Sequence, residues 1–279
     1  MYGQYFYYNN HTSDEFGLMM GGFDYVEDVP LGLSRTIYKG SFSSVRKIPN
    51  FMGTEYADTL SFRISVMKDA CQYPSQEDMI FTEDEVDAIT SWLTEPNYPV
   101  LFHMYDYQPD TYRKYDYFAI VTDIEPQVLG GDVVGFDITF DTNSLYAWSE
   151  TITKTFANSG TNSYTFTVNN SERLGIIFPT LTSLPDVSGA GTGRVTVGFT
   201  NTRDGGSMTM SILREQVTID SQRGMISSQT GLLSFDDLGI DDVDSIYWPR
   251  LYNGSNTLTL SGNATFTLEY REPRKVGVY

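Results

Sequence analysis

The clearest alternation in the chain runs from Thr59 to Lys68. Leu60, Phe62, Ile64 and Val66 face one way there, and Ser61, Arg63, Ser65 and Met67 the other. A period of two with one apolar face predicts a half-buried strand. The stretch after Phe81 changes period. Thr82 and Glu85 stand at the spacing of a capping box, with Phe81 and Val86 placed for a hydrophobic staple across it. Glu83, Asp84 and Glu85 put negative charge at the positive end of a helix dipole. Val86, Ile89 and Leu93 then share a face with Trp92 beside them, and Pro96 ends the run. These signals predict one helix over about 82–95, and no other stretch predicts a helix of that length. A single amphipathic helix among strands needs a sheet to lie on.

Strand patterns flank it. Gln4–Tyr8 and Glu15–Met20 read as strands joined by a polar turn, and Asp24–Gly40 and Ser41–Thr54 as irregular and loop-like. Val100–Tyr105 and Asp116–Ile124 read as strands joined by a polar turn at Gln108–Lys114. In the second, Phe118, Ile120 and Ile124 oppose Tyr117, Ala119 and Val121. Gly130 and Gly131 turn the chain into a strand with Val134, Phe136, Ile138 and Phe140 on one face. The pattern changes at Leu145–Glu150, which predicts domains 1–147 and 148–279. Beyond it come short strands between Gly, Asn and Ser turns: Thr151–Phe156, Tyr164–Val168, Leu174–Phe178, Arg194–Thr200, Met208–Leu213, Val217–Asp220, Ser245–Trp248, Thr257–Leu260 and Ala264–Arg271. That rhythm predicts a β-sandwich or jelly roll. The fold class is mainly β, an N-terminal β-sheet domain with one helix followed by a β-sandwich.

Composition narrows the chemistry. The 279 residues carry a net charge of −18. That argues against nucleic acid bound by the overall field and against anionic membrane surfaces. The N-terminus lacks a signal-peptide pattern, and no run approaches the length of a membrane span. Cys71 is the one cysteine, so no intramolecular disulfide forms, and it reads as a free, partly buried thiol. His11 and His103 fall in different elements, a poor supply for a metal site or a catalytic triad, and His103 reads as structural. Asp236, Asp237, Asp241, Asp242 and Asp244 form the densest acidic run. Without EF-hand spacing it reads as a solvated loop rather than a Ca²⁺ site. No catalytic residue, metal ligand or cofactor site is expected.

Against this acidic background Arg35, Lys39, Arg46 and Lys47 stand out as a candidate oligomer interface. Two other readings remain. A carbohydrate-binding module for host attachment would use Trp148 and Trp248 as glycan platforms. A glycoside hydrolase would use two of the many carboxylates.

Several short runs share an order. Ser13-Asp14-Glu15-Phe16-Gly17-Leu18 comes first, then Ile89-x-x-Trp92-Leu93, then Tyr117-Phe-Ala-Ile-Val121. Late in the chain stand Val217-Thr-Ile-Asp220, Trp248-Pro-x-Leu-x-x-Gly-x-Asn256 and a strand ending in Tyr270-Arg271. In this order the chain resembles the distal tail protein family of long non-contractile-tailed phages. The resemblance implies a structural virion protein at the tail tip, made in the host cytoplasm, with no enzymatic activity. It implies a homo-hexameric ring built by the N-terminal domain, with a channel through which DNA passes. The implied partners are the tail tube protein, the tail-associated hub protein and receptor-binding or baseplate proteins. The implied second domain is a galectin-like β-sandwich. Galectins bind sugar through a His-x-Asn-x-Arg strand, and the second half of this chain has no His.

Overall fold

The computed structural model describes residues 4–21, 35–40, 51–56, 59–75, 77–105, 115–170, 175–186, 193–231, 233–242, 244 and 246–275. The chain divides into two compact units, Met1–Trp148, with which Lys275–Tyr279 is grouped, and Ser149–Arg274.

The first unit holds β1 (Tyr5–Tyr8), β2 (His11–Thr12), a 3₁₀ turn (Ser13–Phe16), β3 (Leu18–Met20), β4 (Arg35–Lys39), β5 (Phe51–Tyr56), β6 (Ser61–Lys68), α1 (Glu83–Thr94), β7 (Val100–Tyr105), β8 (Tyr117–Leu129), β9 (Asp132–Thr142) and β10 (Tyr146–Trp148). Seven of these strands form one antiparallel sheet in the order β2-β1-β7-β8-β9-β6-β3. The alternation of β6 holds: Leu60, Phe62, Ile64 and Val66 are buried. So are Phe136, Ile138 and Phe140 on β9. The sheet's inner face is largely aromatic. Phe140 lies 4.8 Å from Phe102, 5.3 Å from Tyr8 and 5.3 Å from Phe62, ring centre to ring centre.

Helix α1 covers this face with Ile89, Trp92 and Leu93, and the Trp92 indole N–H donates to the Tyr8 carbonyl at 3.0 Å. The capping box is complete: the Glu85 N–H donates to Thr82 Oγ1 at 3.3 Å, and the Thr82 N–H to Glu85 Oε2 at 2.8 Å. A third partner was not legible in the sequence. Lys68, next in the buried parity of β6, donates from Nζ to Glu85 Oε1 and to the Ile80 carbonyl, each at 2.9 Å. Its ammonium lies 4.9 Å and 5.0 Å from the ring centres of Tyr73 and Phe81. Burial opposes ionisation of Glu85, but Lys68 and the Thr82 N–H and hydroxyl outweigh it and hold the carboxyl below its ordinary range. A folded-state value below the unfolded one stabilises above the unfolded range, and that stability is lost as pH falls through the folded value. Glu85→Gln is therefore expected to cost about 2 kcal/mol at neutral pH, chiefly from stranding the Lys68 ammonium, because a glutamine oxygen still accepts the Thr82 N–H. The figure is reduced because the Glu85 side chain is 38% exposed. The gap between wild type and variant should shrink in strongly acid solution, as read by urea midpoints across a pH series.

Four expectations change in this unit. Glu15–Met20 is a strand only from Leu18, because Ser13–Phe16 is a 3₁₀ turn closed by Gly17 at φ 65°. Ser13 Oγ accepts the Phe6 N–H at 3.1 Å and holds that turn to β1. The irregular and loop-like stretches contain two paired strands, β4 and β5. On β8 the core face is Tyr117, Ala119 and Val121, and a register shift between Val121 and Asp123 returns Ile124 to that face. Cys71 is free but exposed; its N–H donates to Asp69 Oδ1 at 2.8 Å in a turn after β6. His103 stacks on Tyr7 at 4.9 Å, 5° from parallel. The polar turn expected at Gln108–Lys114 lies outside the described residues.

The second unit holds β11 (Ile152–Asn158), β12 (Thr161–Val168), β13 (Ile176–Ile177), β14 (Thr180–Pro185), β15 (Arg194–Asn201), β16 (Ser207–Leu213), β17 (Val217–Asp220), β18 (Met225–Ser228), β19 (Leu251–Tyr252), β20 (Gly254–Ser261) and β21 (Ala264–Tyr270). A five-stranded sheet, β11-β21-β14-β17-β18, and a four-stranded one, β12-β20-β15-β16, fill one core. Phe266 and Leu268 come from the first sheet, and Phe199, Met210 and Leu260 from the second. The outward positions carry hydroxyl pairs across strands, such as Thr165 with Thr257 at 2.9 Å. Of the expected strand Ser245–Trp248 the described residues, Ile246–Trp248, are not a strand, and β14 and β18 are strands that the pattern did not announce.

Candidate assembly surfaces

Strands β4 and β5 pair only with each other among the described residues. They form a ribbon with a bulge: Tyr38 faces Gly53, Lys39 faces Phe51, and Met52 is the extra residue. Gly53 sits at φ 142°, a conformation that side-chain-bearing residues rarely adopt. Ile37, Tyr38, Phe51 and Met52 are all exposed, Phe51 at 68% and Met52 at 73%. A two-stranded ribbon is marginal alone in water, and apolar residues grouped on a surface mark a contact site.

Two of the four candidate interface cations lie on this ribbon. Arg35 begins β4 and Lys39 ends it, exposed. Arg46 and Lys47 lie outside the described residues. Sequence reasoning found the cations but missed the apolar group beside them. The signal was there in Ile37-Tyr38 and Phe51-Met52, apolar pairs that put one residue on each side of a strand.

A second apolar point is the tip of the β8–β9 hairpin. Gly130 and Gly131 turn it at φ 69° and 107°, leaving Val128 and Leu129 exposed. The face of β6, β8 and β9 turned away from α1 differs in kind. Pairing across β6, β9 and β8 sets the rows Arg63-Thr139-Asp123 and Ser65-Asp137-Glu125. Arg63 reaches Glu125 Oε2 at 2.5 Å and Asp137 Oδ2 at 2.6 Å. Asp137 also accepts from Ser65 Oγ and from Gln127 Nε2.

The two tryptophans are placed differently from each other. Trp148 is half-buried, its backbone bridged to Asp116 in both directions at 2.8 and 2.9 Å. Trp248 packs against the core of the second unit. Beside it, Asp204 accepts from the Tyr247 hydroxyl at 2.8 Å, the Tyr252 hydroxyl at 2.8 Å and the Gly206 N–H at 2.9 Å. Burial opposes its charge, yet these donors hold its carboxyl below the ordinary range. Burial and Asp204 together push the Tyr247 phenol up. The network ties the turn after β15 to the segment around β19. In the acidic run, Asp237 Oδ2 accepts the Ser234 N–H at 3.0 Å in a surface turn. Asp241 and Asp242 line an open cleft of about 300 Å³ with Ser207 and Thr209. Among the described residues no group of three or more His, Cys, Asp or Glu is set to hold a metal. No helix among them is long and apolar enough to cross a membrane.

Family comparison matches residues 1–144 to a phage tail protein N-terminal domain and 146–270 to a phage tail C-terminal domain. The chain belongs to this phage tail protein family. No curated protein matches the phage tail protein's sequence. Among solved structures it is similar to the crystal structure of the Dit protein of phage SPP1. That protein is described as a paradigm of the hub adsorption apparatus in phages infecting Gram-positive bacteria. The TM-score is 0.60 at 11% identity, over 96% of this chain and 98% of that one. A chain of the phage P2 baseplate in its activated conformation with Ca gives 0.49 at 9% identity, over 92% and 90%. The phage tail protein thus has the distal tail protein fold.

Several of the short runs that carry the resemblance have structural explanations. Phe16 stacks on Trp92 at 4.3 Å, and Gly17 takes the left-handed conformation against the Tyr73 ring. Asn256, fully buried, accepts the Tyr252 N–H at 2.9 Å and donates to the Tyr252 and Gly254 carbonyls at 2.6 and 3.0 Å.

Proposed function

We propose that this chain is a structural hub of the phage tail tip, six copies of which close into a ring around a channel for DNA. The first unit builds the ring. The second is a galectin-like sandwich. The ring joins the tail tube to the tail-associated hub and receptor-binding proteins, and the chain is a virion component without catalytic activity. The observation that carries this reading is the β4–β5 ribbon, an apolar two-stranded arm that the described residues of its own unit leave exposed. Such an arm gains stability only against a partner. In a chain of net charge −18, the Lys39 end of the ribbon favours an acidic partner, and another copy of the chain supplies one. Repeated head-to-tail contacts of this kind give a ring where the rotation from copy to copy closes, which the imaging below reads directly. The carbohydrate-binding alternative is less well supported, because Trp248 is engaged by its own core.

The test is negative-stain imaging of the purified protein over a concentration series, with its mass in solution measured alongside. Closed six-fold rings are the expected result. A chain that stays monomeric throughout and binds glycans on an array would replace this reading with the lectin.

A further inference from the structure

The hub reading leaves open which surface faces the DNA. The described surface of the first unit sorts into distinct parts. α1 covers the inner sheet face, and the ribbon and the hairpin tip carry exposed apolar residues suited to protein contact. On β6, β8 and β9 the exposed large hydrophobics among the described residues, Val128 and Leu129, are confined to the hairpin tip. The central rows of the outer face of these strands are Arg63-Thr139-Asp123 and Ser65-Asp137-Glu125. A protein interface needs an apolar centre, which these rows lack. The one cation in these rows is already held. Arg63 is gripped by Glu125 and Asp137 at 2.5 and 2.6 Å, and Asp137 is itself fixed by Ser65 and Gln127.

A wall past which DNA slides has a specific requirement. Each free Lys or Arg that meets a phosphate releases counterions and adds affinity, so an unmasked cation repeated around a ring would act as a brake. We propose that the outer face of β6, β8 and β9 is the channel wall. On it, Glu125 and Asp137 are positioning residues that keep Arg63 from engaging passing DNA. This inference rests on the hub reading.

The test uses rings of the full chain carrying Glu125→Gln with Asp137→Asn, near-isosteric changes that release Arg63. A second variant adds Arg63→Gln. Linear duplex DNA can thread a ring, whereas closed circular DNA cannot. The double variant is expected to retain linear DNA at about 50 mM salt, to release it by about 200 mM, and to ignore circular DNA. The triple variant and the wild type should retain neither. Retention of both DNA forms, of neither, or equal retention by the triple variant overturns the wall assignment while leaving the hub intact. If the double variant forms no rings, the position of Thr139 relative to the axis of imaged wild-type rings decides instead. Facing the axis supports the assignment, and facing outward overturns it. Wild-type protein that never closes a ring removes the hub reading and this inference with it.

Discussion

Phe140→Ala is expected to lower the stability of the N-terminal unit by about 3–5 kcal/mol, the range for a large aromatic removed from a core. The upper half of that range applies because the site cannot close over the gap. Phe140 is fully buried and touches rings on three other strands: Phe102 on β7, Tyr8 on β1 and Phe62 on β6. Those rings are themselves pinned. Phe102 packs 5.1 Å from Phe62 and 5.7 Å from Phe6, Tyr8 lies 6.3 Å from Trp92, and the Trp92 N–H is tied to the backbone of β1. A cavity lined by side chains that cannot rotate inward keeps its full cost. Phe140→Leu refills most of the space and should cost about 1–2 kcal/mol. Urea unfolding followed through tryptophan fluorescence in a background with Trp148→Phe and Trp248→Phe, which leaves Trp92, reads both values, with an unchanged slope showing that only stability moved. A loss below about 1.5 kcal/mol for alanine would show that the cluster repacks, and that its strands are held by something other than these rings.

The same core explains why half of the fold was legible. On β6 and β9 the core positions carry Phe, Ile or Val until Lys68 and Thr142 at the strand ends, and most outward positions are polar, so counting by twos gives the face directly. α1 announces itself by its cap and its stripe. Beyond these, the pattern fails for identifiable reasons. A bulge moves parity by one, and nothing in Val121-Thr122-Asp123 marks Thr122 as the residue that drops out of register. On β14 the core-facing positions are Leu181, Ser183 and Pro185, and two of the three do not read as core. Conversely, Ile246-Tyr247-Trp248 looks like a strand because it is apolar. Its rings instead brace a loop, with Tyr247 reaching the Asp204 carboxylate.

The candidate surfaces were legible only through their charges. Lys39 was conspicuous because cations are scarce. The apolar residues of the ribbon were hidden because alternation reveals a strand that has one wet face and one dry face. Ile37 and Tyr38 point to opposite sides of β4, and both are exposed in the isolated chain. A strand that awaits a partner on both faces does not alternate, and within one chain it reads as irregular. Arg63 was read correctly as outward-facing, but the carboxylates that hold it come from strands 62 and 74 residues away, a distance that sequence spacing cannot bridge.

The ribbon is also where a substitution should have its largest effect on assembly. Phe51→Asp with Met52→Asp is expected to abolish rings while leaving the unfolding midpoint of the monomer unchanged. Both side chains are already mostly in water in the single chain, so the monomer loses no core when they are replaced. In an assembly that buries them, each is an apolar anchor of about 2 kcal/mol or more, and two charges would be left without partners. Together that raises the dissociation constant of each contact roughly 10³-fold, and a closed ring multiplies the loss at every interface. Met225→Asp, an equally drastic change at an exposed apolar position of the second unit, should leave the rings intact. Mass in solution and imaging at matched concentrations read all three proteins. Rings that survive the double substitution remove the ribbon from the interface. Rings lost equally in Met225→Asp would mean that assembly responds to any added surface charge, and the specific role of the ribbon would fall. Loss confined to the ribbon variant, with an unchanged monomer midpoint, leaves one explanation: these two strands are built to be finished by a neighbouring chain.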